Sequence, residues 1–458
     1  MMRLGCFSAM RRRPGWHPVM VLAALIVALH LGFALVRPPR VPAGEAVALQ
    51  ILRVASSLIE TGHFADPRAG NGQAALEAAR VVAPGYPHVI AWLSRLDGAI
   101  ATGAACYGYQ GIECQLPMPF MTLIGLQSLV ACLCLLFAGL LAQLLSGSRD
   151  IAVLTTMLVL AGGRITEFSR FLSGQVFVWM LILATLYFAV LSLKRATAWP
   201  ALLAGASLGL LALFEPVQAG LLAAATGASL LAIPRDTGAG LPRRALRAAA
   251  CLGVMGLVVL PWLRHSWAVF GDCSIAPGHV ARQISQRLAY NAMGWREWLA
   301  GLVLWFPVLG DIVAPKLFDA AILGKLALYQ PGSYLSEGDH TQFQQAHALA
   351  GSYHRLGGEL SKRALLEHSV ATGVTSIVLF WRGLWGGNSL VSVAGAWFLE
   401  SVMRITAIAG ERGQFLAVLV PAVCLAGGLS LLSPNLYWTN IAMLFVFSYA
   451  IARVSGGF

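Results

Sequence analysis

PFMTLIGLQSLVACLCLLFAGLLAQLL, residues 119–145, carries no charged side chain. At about 1.5 Å of rise per residue it outruns the roughly 30 Å hydrocarbon core of a bilayer, so it reads as a transmembrane helix. Working outward, comparable apolar stretches lie at about 17–36, 151–166, 172–193, 199–214, 217–233, 246–262, 387–403, 413–432 and 437–454. The composition agrees. The 458 residues are 58% hydrophobic and 11% charged, with a mean hydropathy of +0.71, whereas a soluble domain carries about 25% charged residues. The expected fold is an all-α polytopic membrane protein, a bundle of about ten transmembrane helices. The backbone of a helix in lipid must satisfy itself, so such helices build scaffold and leave chemistry to the polar segments.

Those polar segments are two long loops, about 37–118 and about 263–386. The chain therefore divides into a transmembrane module with its first loop (1–262), a second loop region (263–386) and the C-terminal transmembrane helices (387–458). A net charge of +12 invites a nucleic-acid reading. The basic residues are dispersed and flank apolar spans, which excludes nucleic acid and points to the lipid bilayer and lipid-linked phosphates. Arg11, Arg12 and Arg13 precede the first span and keep the N-terminus cytoplasmic. Cleavage as a signal peptide is the rival reading, and RPPRVPAG (37–44) suits it poorly. Alternation then puts Arg149, Lys194 and Arg195, then Arg235, Arg243 and Arg244 inside, as the charge rule requires. Both long loops face outward and the C-terminus is cytoplasmic, which fits a multi-pass protein of the inner (plasma) membrane. The weak point is WLAGLVLWFPVLGDIVA (298–314). Its Pro307 and Asp311 favour an interfacial or re-entrant segment; if it spans, Arg404, Arg412 and Arg453 fall outside.

Four cysteines, Cys132, Cys134, Cys251 and Cys424, sit inside apolar spans as small hydrophobes. Cys106 and Cys114 bracket a short piece of the first loop and are either disulfide-bonded or two free thiols. No Cys/His spacing suggests zinc. In the first loop, GEAVALQILRVASSLIETGHF (44–64) places Ala48, Ile51, Leu52, Ala55 and Leu58 at helical spacing, interrupted by Glu45, Arg53 and Glu60. This is an amphipathic helix suited to a membrane surface. A turn follows at Ala65-Asp66-Pro67. Then APGYPHVIAWLSRLDG (83–98) launches a second amphipathic helix from its Pro-Gly-Tyr-Pro turn.

Two interfacial helices directly after a first membrane helix resemble the first external loop of GT-C glycosyltransferases. The matching pieces are Glu45, VASSLIETGHF (54–64) and Ala83-Pro84-Gly85-Tyr86-Pro87. The family's Asp-Glu pair is reduced to Gly44-Glu45, which leaves the catalytic assignment open between Glu45 and Asp66. PWLRHSWAVFG (261–271) resembles the PWxxRNxxxFG segment of bacterial lipid-linked-sugar transferases related to the dolichyl-phosphate-mannose protein mannosyltransferases. His265-Ser266 stands where that pattern has Arg-Asn, with Arg264 one place earlier. MGWREWLAGLVLWFPVLGD (293–311) and FWRGLW (380–385) resemble segments of the same group. The resemblance implies a sugar transfer from a polyprenyl-phosphate-linked donor to a glycan, lipid or protein acceptor at the periplasmic face.

Such a transfer needs a carboxylate base for the acceptor and fixed positive charge for the departing phosphate. Glu45 and Asp66 are the base candidates, against ordinary duty as a helix-start carboxylate and a turn former. Arg164 and Arg170 in RITEFSRFLSGQ (164–175), Arg264, His265 and Arg382 are the phosphate candidates, against snorkelling or interface anchoring. Glu215 either caps the turn before Pro216 or lines an acceptor cavity. His63, His88 and His279 are taken as plain polar residues. No cofactor is certain; a divalent cation on Glu45, Asp66 and His63 stays open. Two rivals remain. A transporter or flippase would show repeats and midplane charges, and here the span interiors carry almost no acids or bases apart from Glu400. A ligase or polymerase of the O-antigen type would carry its large loop late in the chain.

Overall fold

The computed structural model describes residues 46–70, 72–110, 114, 116, 119–162, 164–195, 197–233, 240–307, 309–327, 330–339, 343, 353–362, 366–385, 390–408, 411–434 and 440–455. The first apolar stretch and Glu45 lie outside the described residues. Among those described, the fold is all helical, with 21 α-helices and no strand. Four helices are long and apolar enough to cross a membrane: α5 (Met121–Ser146), α8 (Gln175–Lys194), α11 (Leu241–Phe270) and α20 (Arg412–Leu432). Four shorter apolar helices accompany them: α9 (Trp199–Phe214), α10 (Pro216–Ala232), α18 (Ser369–Leu384) and α21 (Ile441–Ser455).

Burial sorts these helices into centre and rim. The most apolar stretch of α8 is 83% buried, because a helix that is hydrophobic all round has no solvent face to offer. It runs against α5 on one side and α9 on the other. The corresponding stretch of α11 is only 22% buried. Its exposed Leu252, Leu257 and Leu260, with Leu129, Leu133 and Leu136 of α5, form the apolar surface that lipid would cover.

The helix ends meet in two sets. At one end Lys194 of α8 donates to Leu144 O of α5, Arg247 of α11 reaches Ser192 O of α8 at 3.4 Å, and Arg244 donates to Leu231 O of α10 at 3.0 Å. Gly413 lies beside Ile233 at this same end, and Arg453 pairs with Glu411 at 3.1 Å. The basic residues of the second half thus share an end with those of the first. That is the arrangement in which 298–314 does not span. The segment is in fact broken into α13 (Trp295–Leu304) and α14 (Leu309–Leu317). Each falls far short of the roughly 20 residues a crossing needs. The break comes at Trp305–Pro307, where proline removes a backbone donor.

At the opposite end both long loops fold together. The first loop supplies α1 (Ala46–Thr61), α2 (Gln73–Ala79), α3 (Gly85–Leu93) and α4 (Gly98–Gln110); the second supplies α12 (Pro277–Ala289) and α17 (Tyr353–Lys362). Val81 of the first loop shares a small core with Ala281, Ile284, Tyr353, Leu356 and Leu360 of the second. The apolar face expected on α1 forms, with Ala48, Leu52 and Ala55 buried. It covers α3 and α4 rather than a membrane surface, because small residues of α4 let the helices approach. Cys106 and Cys114 are disulfide-bonded, with Cα atoms 5.6 Å apart.

Two boundaries move. α11 does not stop at Trp262 but passes through Pro261 to Phe270, so the division at 262/263 falls inside a helix. It ends where Gly271 takes φ +73°, a left-handed conformation costly for any residue with a Cβ. The second loop region, read as ending at 386, already contains the apolar helix α18, which packs on α20. Arg287, fully buried, joins the two loop and bundle layers. It donates to Thr372 O at 2.7 Å, Thr375 Oγ1 at 2.9 Å, Ser376 Oγ at 2.7 Å and Asn291 Oδ1 at 3.0 Å.

Candidate functional site

The site is assembled around the start of α3. Pro84 leads into the helix, and the residues that follow touch four other elements. Tyr86 is buried and donates to Gln127 Oε1 inside α5 at 2.5 Å. Gln127 in turn donates to Ser169 O at 3.0 Å and Phe171 O at 2.7 Å. One tyrosine and one glutamine therefore position the loop that carries Arg170. The neighbouring helix, α7 (Arg164–Phe168), includes Arg164.

On the next side His88 stands among Phe64, Trp262 and His265. Phe64 stacks on His88 at 5.9 Å between ring centroids, and Trp262 meets Phe64 edge-on at 5.0 Å and His88 at 5.7 Å. His265 tilts against Trp262 at 5.2 Å. Nδ1 of His88 lies 2.7 Å from Pro84 O. As a donor there, it leaves Nε2 as the lone-pair nitrogen. Crowding by the surrounding rings holds the His88 pKa below its ordinary value; the Pro84 carbonyl opposes this and His265 adds to it. Arg264 and His265 are exposed on the same last turns of α11.

Two ion pairs hold this arrangement. Arg53 of α1 grips Asp66 in a fork, Nε to Oδ1 at 2.9 Å and Nη2 to Oδ2 at 3.1 Å. Asp66 is 3% exposed, and its Oδ1 also caps the short helix Pro67–Ala69. Both of its oxygens are thus engaged. Arg80 is the second anchor. It donates to Glu77 at 2.9 Å, to Asp272 and to Ser274 Oγ at 3.0 Å, and lies 4.5 Å over the Phe270 ring. Asp272 and Ser274 directly follow α11, so this cation ties the first loop to the PWLRHSWAVFG segment. Alongside, Gly278 presses against the Arg80–Val81 backbone; a Cβ there would sit 2.9 Å from Val81 N.

Glu215 completes the ring of elements. Its neighbour Phe214 stacks on Phe177 at 5.3 Å and abuts Gly85. The Glu215 side chain does not cap α10, contrary to the expected turn role. It reaches across to α12, where Oε2 lies 3.1 Å from His279 Nε2 and 3.2 Å from Gln283 Nε2.

The residues named from sequence fare differently. His265 and Arg264 stand beside the His88 cluster, and Arg170 lies on the loop that Gln127 holds. Arg382 does not join them. It is 1% exposed, bonded to Tyr290 Oη at 3.3 Å and 4.5 Å over Trp305, inside the second aromatic core. His63 stays exposed. Among the described residues no group of three or more His, Cys, Asp or Glu side chains could hold a metal ion. His88, His279, Arg80 and Gln127 are the additions. No spacing rule marks the two histidines, since the contacts that single them out, His88 with Trp262 and His279 with Glu215, join residues more than 60 apart.

No protein-family model and no curated protein matches the chain. Among solved structures it is similar to the "Crystal Structure of ArnT from Cupriavidus metallidurans bound to Undecaprenyl phosphate", at 12% identity and a TM-score of 0.40, over 97% of this chain and 79% of that one. No family is assigned on that likeness.

Proposed function

We propose that this protein is a membrane-embedded glycosyltransferase of the GT-C type. It takes a sugar from a polyprenyl-phosphate carrier at the extracytoplasmic face and passes it to a glycan, lipid or protein acceptor. One observation carries the reading. Three sequence segments that resemble such enzymes, 54–64, 83–87 and 261–271, are apart in the chain yet converge on one cluster: Phe64 ends the first, His88 directly follows the second, and Trp262 and His265 belong to the third.

In this reading Glu45 is the general base, because Asp66 is committed to Arg53. Arg264 and His265 face the carrier phosphate, with Arg170 and Arg164 on the adjoining loop, and offset the charge that develops as the sugar leaves. Arg382 serves the aromatic core instead. The exposed leucines of α11 offer the polyprenyl tail an apolar surface continuous with lipid. The test uses full-length protein in lipid nanodiscs with undecaprenyl-phosphate-linked hexoses and pentoses. Glu45→Gln should abolish sugar release or transfer while bare undecaprenyl phosphate still binds, and Arg264→Ala should weaken that binding. A chain that binds no polyprenyl phosphate, or keeps full turnover with Glu45→Gln, refutes the proposal.

A further inference from the structure

At the turn between α9 and α10, three polar atoms of three different residues converge. Glu215 Oε2, His279 Nε2 and Gln283 Nε2 lie 3.0–3.2 Å from one another. Both nitrogens can donate to the carboxylate oxygen, and the Nε2–Nε2 approach is then no hydrogen bond. This uses one N–H of each nitrogen and leaves acceptors over. Glu215 Oε1 bonds to no described residue. Gln283 Oε1 is buried and has no partner among the described residues. One turn further along α10, Gln218 is 3% exposed and its Oε1 likewise has no partner among the described residues. A buried acceptor left unmet is costly, so such groups in a native fold call for a donor from elsewhere.

The surroundings say what kind of donor. The Glu215 and His279 side chains are 17% and 18% exposed, open enough to be reached. Phe214, next to Glu215, packs on Gly85 at the start of α3, and Gly278, next to His279, packs on Arg80 and Val81. The cluster therefore flanks the same α3 start that carries His88 on its other side. Its chemistry suits a neutral group rich in hydroxyls: carboxylate and amide oxygens to accept, and an imidazole to hold the carboxylate in place.

We propose that Glu215, His279 and Gln283 form a hydroxyl-binding subsite that holds the sugar of the lipid-linked donor. The inference rests on the glycosyltransferase reading and names the residues that recognise its sugar. Its test is binding, with full-length protein in nanodiscs, native mass spectrometry and two kinds of probe: bare undecaprenyl phosphate, and undecaprenyl phosphate bearing glucose, mannose, galactose or arabinose. Wild-type protein should hold at least one sugar-bearing lipid about tenfold or more tighter than the bare lipid. Glu215→Gln and Gln283→Ala should each remove that preference and leave the bare-lipid affinity unchanged. Gln283→Ala carries the test should Glu215→Gln fold poorly. The subsite is refuted if the variants keep the wild-type preference, or if wild type shows no preference for any sugar while still binding the bare lipid. Failure to bind even the bare lipid overturns the functional reading and the subsite with it.

Discussion

Replacing Asp272 by alanine tests whether the two loops depend on each other. Asp272 is 19% exposed and its partner Arg80 is 5% exposed. Removing a buried pair's only counter-ion costs about 3–5 kcal/mol. Here Glu77 remains 2.9 Å from Arg80 Nη1 and keeps the cation compensated. The loss on the Arg80 side is then one charge-assisted hydrogen bond, about 2 kcal/mol, while Ser274 Oγ and Ser266 Oγ also lose Asp272 as acceptor. Among the described residues the double variant Glu77→Ala/Asp272→Ala leaves Arg80 with Ser274 and the Phe270 ring, so its cost should exceed the sum of the singles by about 1–3 kcal/mol. Unfolding of a many-helix membrane chain is not two-state, so the assay is native-state hydrogen exchange in nanodiscs. For Asp272→Ala, local opening of residues 72–93 should rise about 30-fold, with α8 unchanged. Exchange within about twofold of wild type, or strict additivity in the double variant, would refute the reasoning.

Three further outcomes are expected. Tyr86→Phe strands Gln127 Oε1, which Tyr86 alone supplies with a donor in the described structure; exchange of the 169–171 backbone should accelerate at a cost of about 1–2 kcal/mol, and an unchanged rate contradicts the anchor. His88 has a folded pKa below its ordinary 6.5, so its packing favours the neutral ring. That contribution is intact above pH 6.5 and is lost as pH falls through the depressed value. Nuclear magnetic resonance titration of labelled His88 should show the depressed midpoint, and exchange at 83–90 should quicken below it in wild type but not in His88→Gln. Burial, with Glu77 adding to it, pushes the Tyr353 phenol up to about 12. Its stabilising contribution is full below pH 10 and is lost between pH 10 and about 12. Subtracting the ultraviolet titration of Tyr353→Phe should reveal a tyrosine that ionises in that window.

Much of the scaffold was legible before any coordinates. The uncharged run at 119–145 appears as α5, 199–214 as α9 and 413–432 as α20, because bilayer thickness imposes a length and apolarity that composition displays. The face Ala48–Leu52–Ala55 was equally plain from its period. What covers that face was not, since a stripe facing lipid and a stripe facing α4 have the same spacing. The apolar run of α11 ends at Trp262, while the helix carries on to a glycine that permits the terminating turn. The site was half legible. PGYP and PWLRH drew attention as local motifs, but nothing local announces that Arg53 takes Asp66, that Arg80 takes Asp272, or that Glu215 turns away from its own helix.

The chain's order of residues alone settles that this is a helical membrane protein, where its long apolar helices run and which loops hold the polar groups. These follow from hydrophobic length and charge placement, which are additive along the chain. Which of those polar groups become neighbours is a different matter. Hydrogen bonds and ion pairs act over about 3 Å, and only the packing of both loops on one end of the bundle brings His88 to Trp262, Arg80 to Asp272 and Glu215 to His279.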